Sequence, residues 1–218
     1  MDALTAIRLR RSVRSYTDRP VADEDLDQLL KLALLAPTGS MSQAWSLLVV
    51  RDAAKRAALA DIVIRGGGTY FTVVRPPAPE HTPEQHAEAS RAYAEEVLGS
   101  YRHVPVWVMG LVVPRDMFPP EEREKEALAD EMSVAFAMEN LFVGARAKGM
   151  GTVPTVFHWF AEDDLRREFA LPDEVRVPVI SPLGYPSEFP KGLPPRLAAI
   201  KRPWQTLVHD DTWGNPRA

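Results

Sequence analysis

No cysteine occurs anywhere in the 218 residues. Disulfides, a thiolate nucleophile, thiolate-held zinc and a cysteine-ligated iron–sulfur cluster are thereby excluded. No uninterrupted apolar run approaches the roughly 20 residues that a spanning helix needs. Arg8, Arg10 and Arg11 break up the stretch from Met1 to Arg14, where a signal peptide would require an apolar segment. Charge of one sign is also missing. The 26 Lys/Arg and 30 Asp/Glu leave a formal charge of −4, which argues against a nucleic-acid or anionic-membrane partner. A cytoplasmic location is the simplest expectation.

Several chemistries lack their motif. There is no G-x-x-x-x-G-K-[ST] phosphate loop, and Gly66-Gly67-Gly68 does not have the G-x-G-x-x-G spacing of a dinucleotide fold. There is no H-E-x-x-H, and the five histidines are scattered. His81 and His86 read as a solvated pair rather than a metal site, so no metal is expected. No G-x-S-x-G elbow supports Ser/His/Asp hydrolysis.

What is present can fold. With 45% hydrophobic and 26% charged residues, the chain can bury a core and has the size of one generous domain. Helices are expected over 2–10, 23–36, 53–64, 83–99, 125–148 and 162–171. Strands are expected over 47–50, 104–113 and 175–183, with a short extended piece at 152–157. The glycine triplet reads as the end of the third helix. The stretch 65–99 then reads as an insertion or lid, and the proline-punctuated 187–218 as a C-terminal arm on a single domain spanning 1–218. The helix at 125–148 is apolar over much of its circumference, so it should be central or buried at a subunit interface. The mixture is α+β, without regular βα alternation.

Four segments could carry chemistry. In Arg10-Arg11-Ser12-Val13-Arg14, an extended backbone would project Arg10, Ser12 and Arg14 to one side. That row offers planar donors to a phosphate and to carbonyl or ring-nitrogen acceptors. A solvated basic stretch fits the same composition, and both readings stand. The second segment, Pro37-Thr38-Gly39-Ser40-Met41-Ser42-Gln43-Ala44-Trp45, is a small polar loop between a helix and a strand. It suits either close backbone approach to a flat ligand or an ordinary connection. The third, Gly149-Met150-Gly151-Thr152 with Val153 to Val156 behind it, follows the longest helix. The fourth, Lys201-Arg202-Pro203-Trp204, lies in the arm.

In this order and at these separations, the four segments and the Pro182-Leu183-Gly184-Tyr185-Pro186 strand end resemble the nitroreductase family of flavoenzymes. The resemblance spans essentially the whole chain and is weakest over 65–99. It implies a central antiparallel or mixed sheet flanked by helices, in an entwined homodimer with non-covalent FMN at the interface. By that pattern Arg10 and Ser12 would hold the phosphate, helped by Lys201 or Arg202. Arg11 would sit by the ribityl chain or ring, and Arg14 would face the N1/O2 edge. Pro37, Thr38, Gly39, Ser40 and Met41 would come from the partner subunit. Thr155 and Val156 would supply backbone contacts near N5 and O4, and the long helix from Met132 to Arg146 would form much of the interface. The resemblance further implies NAD(P)H as a transient hydride donor, a small acceptor such as a nitroaromatic or quinone, ping-pong kinetics and no catalytic side chain. Two departures concern the acceptor: Met41 and Ala44 stand where the family commonly has Asn and Pro. The same motifs serve dehalogenating, flavin-degrading and biosynthetic relatives, and a non-catalytic FMN-binding protein would also carry them.

Overall fold

The computed structural model describes residues 1–217, with Arg196 described in its backbone only. Its elements run α1 (Ala3–Leu9), α2 (Asp23–Ala33), β1 (Trp45–Val50), α3 (Ala53–Val74), α4 (Pro83–Leu98), β2 (Val106–Val112) and α5 (Arg123–Ala147). They continue with β3 (Gly151–Thr152), α6 (Glu162–Phe169), β4 (Arg176–Gly184) and α7 (Pro195–Ala199). The four strands form one antiparallel sheet in the order β1-β2-β4-β3. A parallel bridge from Ser12 to Thr152 extends it at the β3 edge, so the sheet is mixed there. The helices and this sheet make the architecture α+β.

Every residue of the central strand β2 is buried, and its side chains alternate between two cores. Trp107, Met109 and Leu111 join Leu59, Val63, Ala94, Leu98 and Leu165 on one face. Val106, Val108 and Val112 join Leu26, Leu29, Val134, Met138 and Leu141 on the other. The sheet is thus covered by α3, α4 and α6 on one side and by α2 and α5 on the other. At Gly110 the contact is closest. A Cβ there would lie 2.6 Å from Cγ1 of Val134, so the missing side chain lets α5 settle against the sheet.

The helices start where local chemistry tells them to. Asp2 accepts a hydrogen bond from the Thr5 amide at 3.0 Å, and Asp52 from the Lys55 amide at 2.9 Å. Thr82 and Gln85 form a reciprocal capping box in front of α4, with Pro83 in its first turn.

One expectation fails. Gly66-Gly67-Gly68 does not end the third helix; α3 runs on to Val74. Tertiary packing overrides the helix-breaking tendency of glycine. A Cβ at Gly66 would sit 1.9 Å from the carbonyl oxygen of Phe157, and one at Gly67 would sit 2.6 Å from Cδ1 of Leu98. The triplet is a groove into which the 157–158 backbone and α4 press. The continuous helix is also long and apolar enough, by length and composition, to cross a membrane. Its Leu59, Ile62, Val63 and Ile64 are instead buried in the core. The stretch 65–99 is therefore the second half of α3 plus α4, with Ala94 and Leu98 buried beside them. Smaller differences are the end of α2 at Ala33 and the start of β1 at Trp45.

Candidate functional site

The arginine segment leaves α1 at Arg10, whose backbone is already extended (φ −61°, ψ 134°). Val13 then anchors it. The Val13 amide donates to the Thr152 carbonyl at 3.0 Å, and its side chain is buried in the core. Gly151 makes this approach possible, since a Cβ there would meet three Val13 carbons at 2.6–2.9 Å. Tyr16 is buried below and donates its hydroxyl to the Val13 carbonyl at 2.9 Å. Burial, and the nearby Tyr101, raise its pKa well above the usual phenol value, so it stays a donor. With Val13 turned inward, Ser12 and Arg14 flank it on the outer side.

The four polar residues of this strand are spent differently. Arg10 pairs with Glu139 of α5 at 3.1 Å. Arg11 donates to the backbone carbonyls of Arg8 and Arg10 at 3.0 and 2.7 Å. Its guanidinium is therefore engaged locally. Among the described residues the Ser12 hydroxyl and the Arg14 guanidinium make no hydrogen bond or ion pair, and Arg14 is exposed. The Arg14 carbonyl accepts from Ser100 at 2.5 Å, which holds the backbone. Arg146 of α5 also reaches this strand, donating to the Leu9 carbonyl at 3.1 Å while its guanidinium stacks on Phe189 at 3.8 Å. Neither Glu139 nor Arg146 is visible as a neighbour of this strand in the sequence, because each contact spans well over 100 residues.

Thr155 and Val156 follow on from β3. The Thr155 amide and carbonyl both pair with Ile180, at 2.9 and 3.2 Å. That leaves the Val156 amide as the backbone donor without a partner among the described residues. Next to it, His158 is fully buried. Its Nε2 lies 2.7 Å from the Val177 carbonyl and its Nδ1 has no partner. Burial lowers its pKa, which keeps the ring neutral.

The loop carrying Pro37, Thr38, Gly39, Ser40 and Met41 packs against α5, and among the described residues no hydrogen bond joins it to this strand. The Thr38 hydroxyl organises it, accepting from the Gln43 amide at 3.1 Å and from Ser42 at 3.3 Å. Ser40, Met41 and Gln43 all have left-handed backbones, with φ of 51°, 55° and 51°. Non-glycine residues adopt that region rarely, and such strain clusters at ligand clamps. Met41 is 82% exposed. Lys201 and Arg202 are exposed in the arm. Arg202 donates to the Thr206 carbonyl at 2.7 Å, and no hydrogen bond or ion pair joins either residue to the arginine strand. The structure thus ties the strand of Arg10, Arg11, Ser12 and Arg14 to Thr152, three residues before Thr155. It keeps the Pro37–Met41 loop and the Lys201/Arg202 pair separate within one chain. Two cavities of about 640 Å³ lie elsewhere, one at the start of α5 and one at the end of α3.

An unpaired guanidinium, a hydroxyl and a backbone amide are donors of the kind that suit an anionic, planar ligand with carbonyl and ring-nitrogen acceptors. Comparison with known proteins identifies the family. The family model described as "Nitroreductase family" matches residues 7–185. An NADH dehydrogenase of Thermus thermophilus is 27% identical over 93% of this chain and 94% of its own length. An iodotyrosine deiodinase of Thermotoga neapolitana is 29% identical over 88% of this chain and 92% of its own. Among solved structures, the NADPH:FMN oxidoreductase of Vibrio harveyi superposes with a TM-score of 0.70 at 17% identity, covering 99% of this chain and 79% of that one. The chain belongs to the nitroreductase family of oxidoreductases.

Proposed function

We propose that the chain is an FMN-dependent NAD(P)H oxidoreductase that reduces a small acceptor, a nitroaromatic or quinone, by alternate binding of donor and acceptor at one face. The observation that carries this reading is the arginine strand, whose Ser12 hydroxyl and Arg14 guanidinium are unspent and whose Ser12–Thr152 bridge ties it to the segment that leads to the Val156 amide. These donors fit FMN. Arg10 and Ser12 would take the phosphate, with Lys201 or Arg202 closing over it. Arg14 would face the N1/O2 edge, and Val156 would donate near N5 and O4. Bound there, FMN supplies the hydride chemistry. The chain's own part is electrostatic and positional: the Arg14 cation would stabilise negative charge at the edge it faces. No side chain is assigned as acid or base.

We further propose that the site is completed in a homodimer, with the Pro37–Met41 loop given to the partner. Leu128, Met132 and Phe136 are 60%, 52% and 46% exposed and recur every fourth residue along α5. Leu4 and Ile7 of α1, which packs on α5, are 80% and 57% exposed. An apolar stripe of this kind is an interface signal, and its location next to the loop supports an interface that also shapes the pocket.

A second reading, reductive dehalogenation of an aromatic substrate, is favoured by one finding: the relative named as an iodotyrosine deiodinase aligns over most of the chain. The test is the visible spectrum of the purified protein, followed anaerobically by NADPH and then NADH. A flavin spectrum that bleaches supports the oxidoreductase, and turnover of nitrofurazone against 3-iodotyrosine separates the two acceptors. A flavin spectrum that resists both nicotinamides overturns the donor assignment. A colourless protein that takes up no FMN overturns the cofactor.

A further inference from the structure

The cavity of about 640 Å³ at the end of α3 is lined by Tyr70, Phe71, Val74, Arg75, Pro76 and Tyr93, with Leu197 and Ile200 of the arm as its outer wall. Its floor is an aromatic cluster. Phe71 meets Tyr93 edge-on at 5.0 Å between centroids, and Phe157 packs on Tyr70 and Phe71 at 5.2 and 5.6 Å. Edge-to-face and tilted contacts of this kind are the favoured packing of aromatic rings. The wall is not finished by the chain itself. Val74 is 50% and Ile200 73% exposed, a large apolar exposure for residues that line a concavity.

Among the described residues the polar groups that line this cavity are few and unspent. Arg75 stacks over Tyr93 with its guanidinium carbon 4.0 Å from the ring centroid, which fixes the plane of the fork. Among the described residues it has no carboxylate partner, unlike Arg65 and Arg102 on the same side of the molecule, which are each paired with an aspartate. The hydroxyls of Tyr70 and Tyr93 likewise make no hydrogen bond within the described chain. A concave, mainly apolar lining with a few fixed donors is the general form of a small-molecule site, and this volume suits a ligand of one or two rings. An unpaired guanidinium with its plane held by stacking is matched to a carboxylate, which it can engage with two parallel hydrogen bonds.

We propose that this cavity is a binding site for a planar aromatic carboxylate, gripped by Arg75 and stacked within the Tyr70–Phe71–Tyr93 cluster. The ligand bridges the end of α3 to the arm that carries Lys201 and Arg202. The inference does not depend on the flavin reading, because binding is measured directly.

The test is calorimetric titration of the purified protein, with whatever cofactor it retains, against 2-naphthoate and the neutral 2-naphthalenemethanol. The acid should bind saturably and more tightly than the alcohol. Arg75→Gln should weaken the acid by about 10-fold or more, the loss expected for one charge-assisted contact, and leave the alcohol unchanged. Arg75→Lys should recover part of that loss. Ile200→Ser, on the exposed wall, should weaken both probes. Equal binding of the two probes, an acid affinity unmoved by Arg75→Gln, or no saturable binding because a second copy covers the cavity would each overturn the proposal. A perturbed flavin spectrum with unchanged response to Arg75→Gln would place the acid at the flavin face and overturn it too.

Discussion

The family resemblance implies that the arginine strand and the Pro37–Met41 loop both face the ligand, yet they are built on opposite terms. The strand is tied in at every step: Val13 sits against Gly151, its amide is bonded to Thr152, and Tyr16 is buried beneath it. The loop is held by one threonine hydroxyl and a Ser42-to-Gly39 backbone hydrogen bond, carries three left-handed non-glycine residues and presents Met41 to solvent. The apolar side chains nearest to it, Leu34 and Leu35, are 45% and 77% exposed. A rigid half-site that is finished within one chain, beside a strained half that is finished by nothing in that chain, is the arrangement expected when a second copy completes the pocket. The strand would then set where the cofactor sits, and the loop what else enters.

The sharpest way to break this contrast is to remove the second copy while leaving the strand untouched. Phe136→Asp places a charge at the end of the exposed apolar stripe of α5. It is expected to give a single-chain species on size-exclusion chromatography, still folded by circular dichroism, with FMN largely lost. A variant that stays dimeric, or a monomer that keeps FMN, would mean the strand alone suffices.

Gly151→Ala attacks the other half. Its Cβ would overlap the β-branched, buried Val13, which cannot swing away as a long side chain could. A cost of about 1–3 kcal/mol is expected from overpacking, seen as a lower unfolding midpoint with FMN affinity falling alongside. Unchanged stability would show that the strand is less fixed than its contacts imply. Arg10→Ala should weaken FMN by roughly 10- to 100-fold, the loss of one charge-assisted hydrogen bond. Because Glu139 holds Arg10 at 3.1 Å, Glu139→Gln should move the affinity the other way, by a few-fold at this half-exposed pair. Equal FMN affinity in both variants and the parent would remove Arg10 from the phosphate site.

A smaller effect concerns the segment after Val156. Burial depresses the pKa of His158 below its ordinary 6.5, so below that value the unfolded chain takes up a proton that the folded chain resists. Stability should be unaffected by this group above about pH 7.5 and should fall as pH drops through 6.5. His158→Gln, which can still donate to Val177, should flatten the drop in unfolding temperature between pH 7 and 5.5. Parallel curves for the two proteins would assign the pH dependence to other groups.

How legible each half was follows from how local its causes are. The apolar run of β2 and the apolar girth of α5 are short-range patterns, and the structure has a buried strand over Val106–Val112 and a long helix over Arg123–Ala147. The glycine triplet misled because its local meaning is a break, whereas its use here is to admit the Phe157 carbonyl and Leu98 from elsewhere in the chain. The Arg10–Glu139 pair bridges 129 positions, and no spacing rule reaches that far. The pairing of Thr155 with Ile180 is a matter of register. It decides that Val156, not Thr155, keeps an unspent amide, and register is set by packing rather than by residue type. The loop's left-handed residues were invisible for the plainest reason: serine, methionine and glutamine give no hint of positive φ.

Met41 should be the mildest place to intervene and the most informative about the loop. Its side chain touches little within the chain, so Met41→Asn should cost almost nothing in stability, and asparagine tolerates the left-handed backbone better than methionine does. If the loop lines the acceptor side of the completed pocket, the exchange of a flexible apolar side chain for a polar amide should shift kcat/KM among nitrofurazone, a quinone and 3-iodotyrosine by a few-fold. FMN affinity should stay within experimental error of the parent. A fall in FMN affinity with no reordering of acceptors would put Met41 on the cofactor instead, and the division of labour between strand and loop would have to be redrawn.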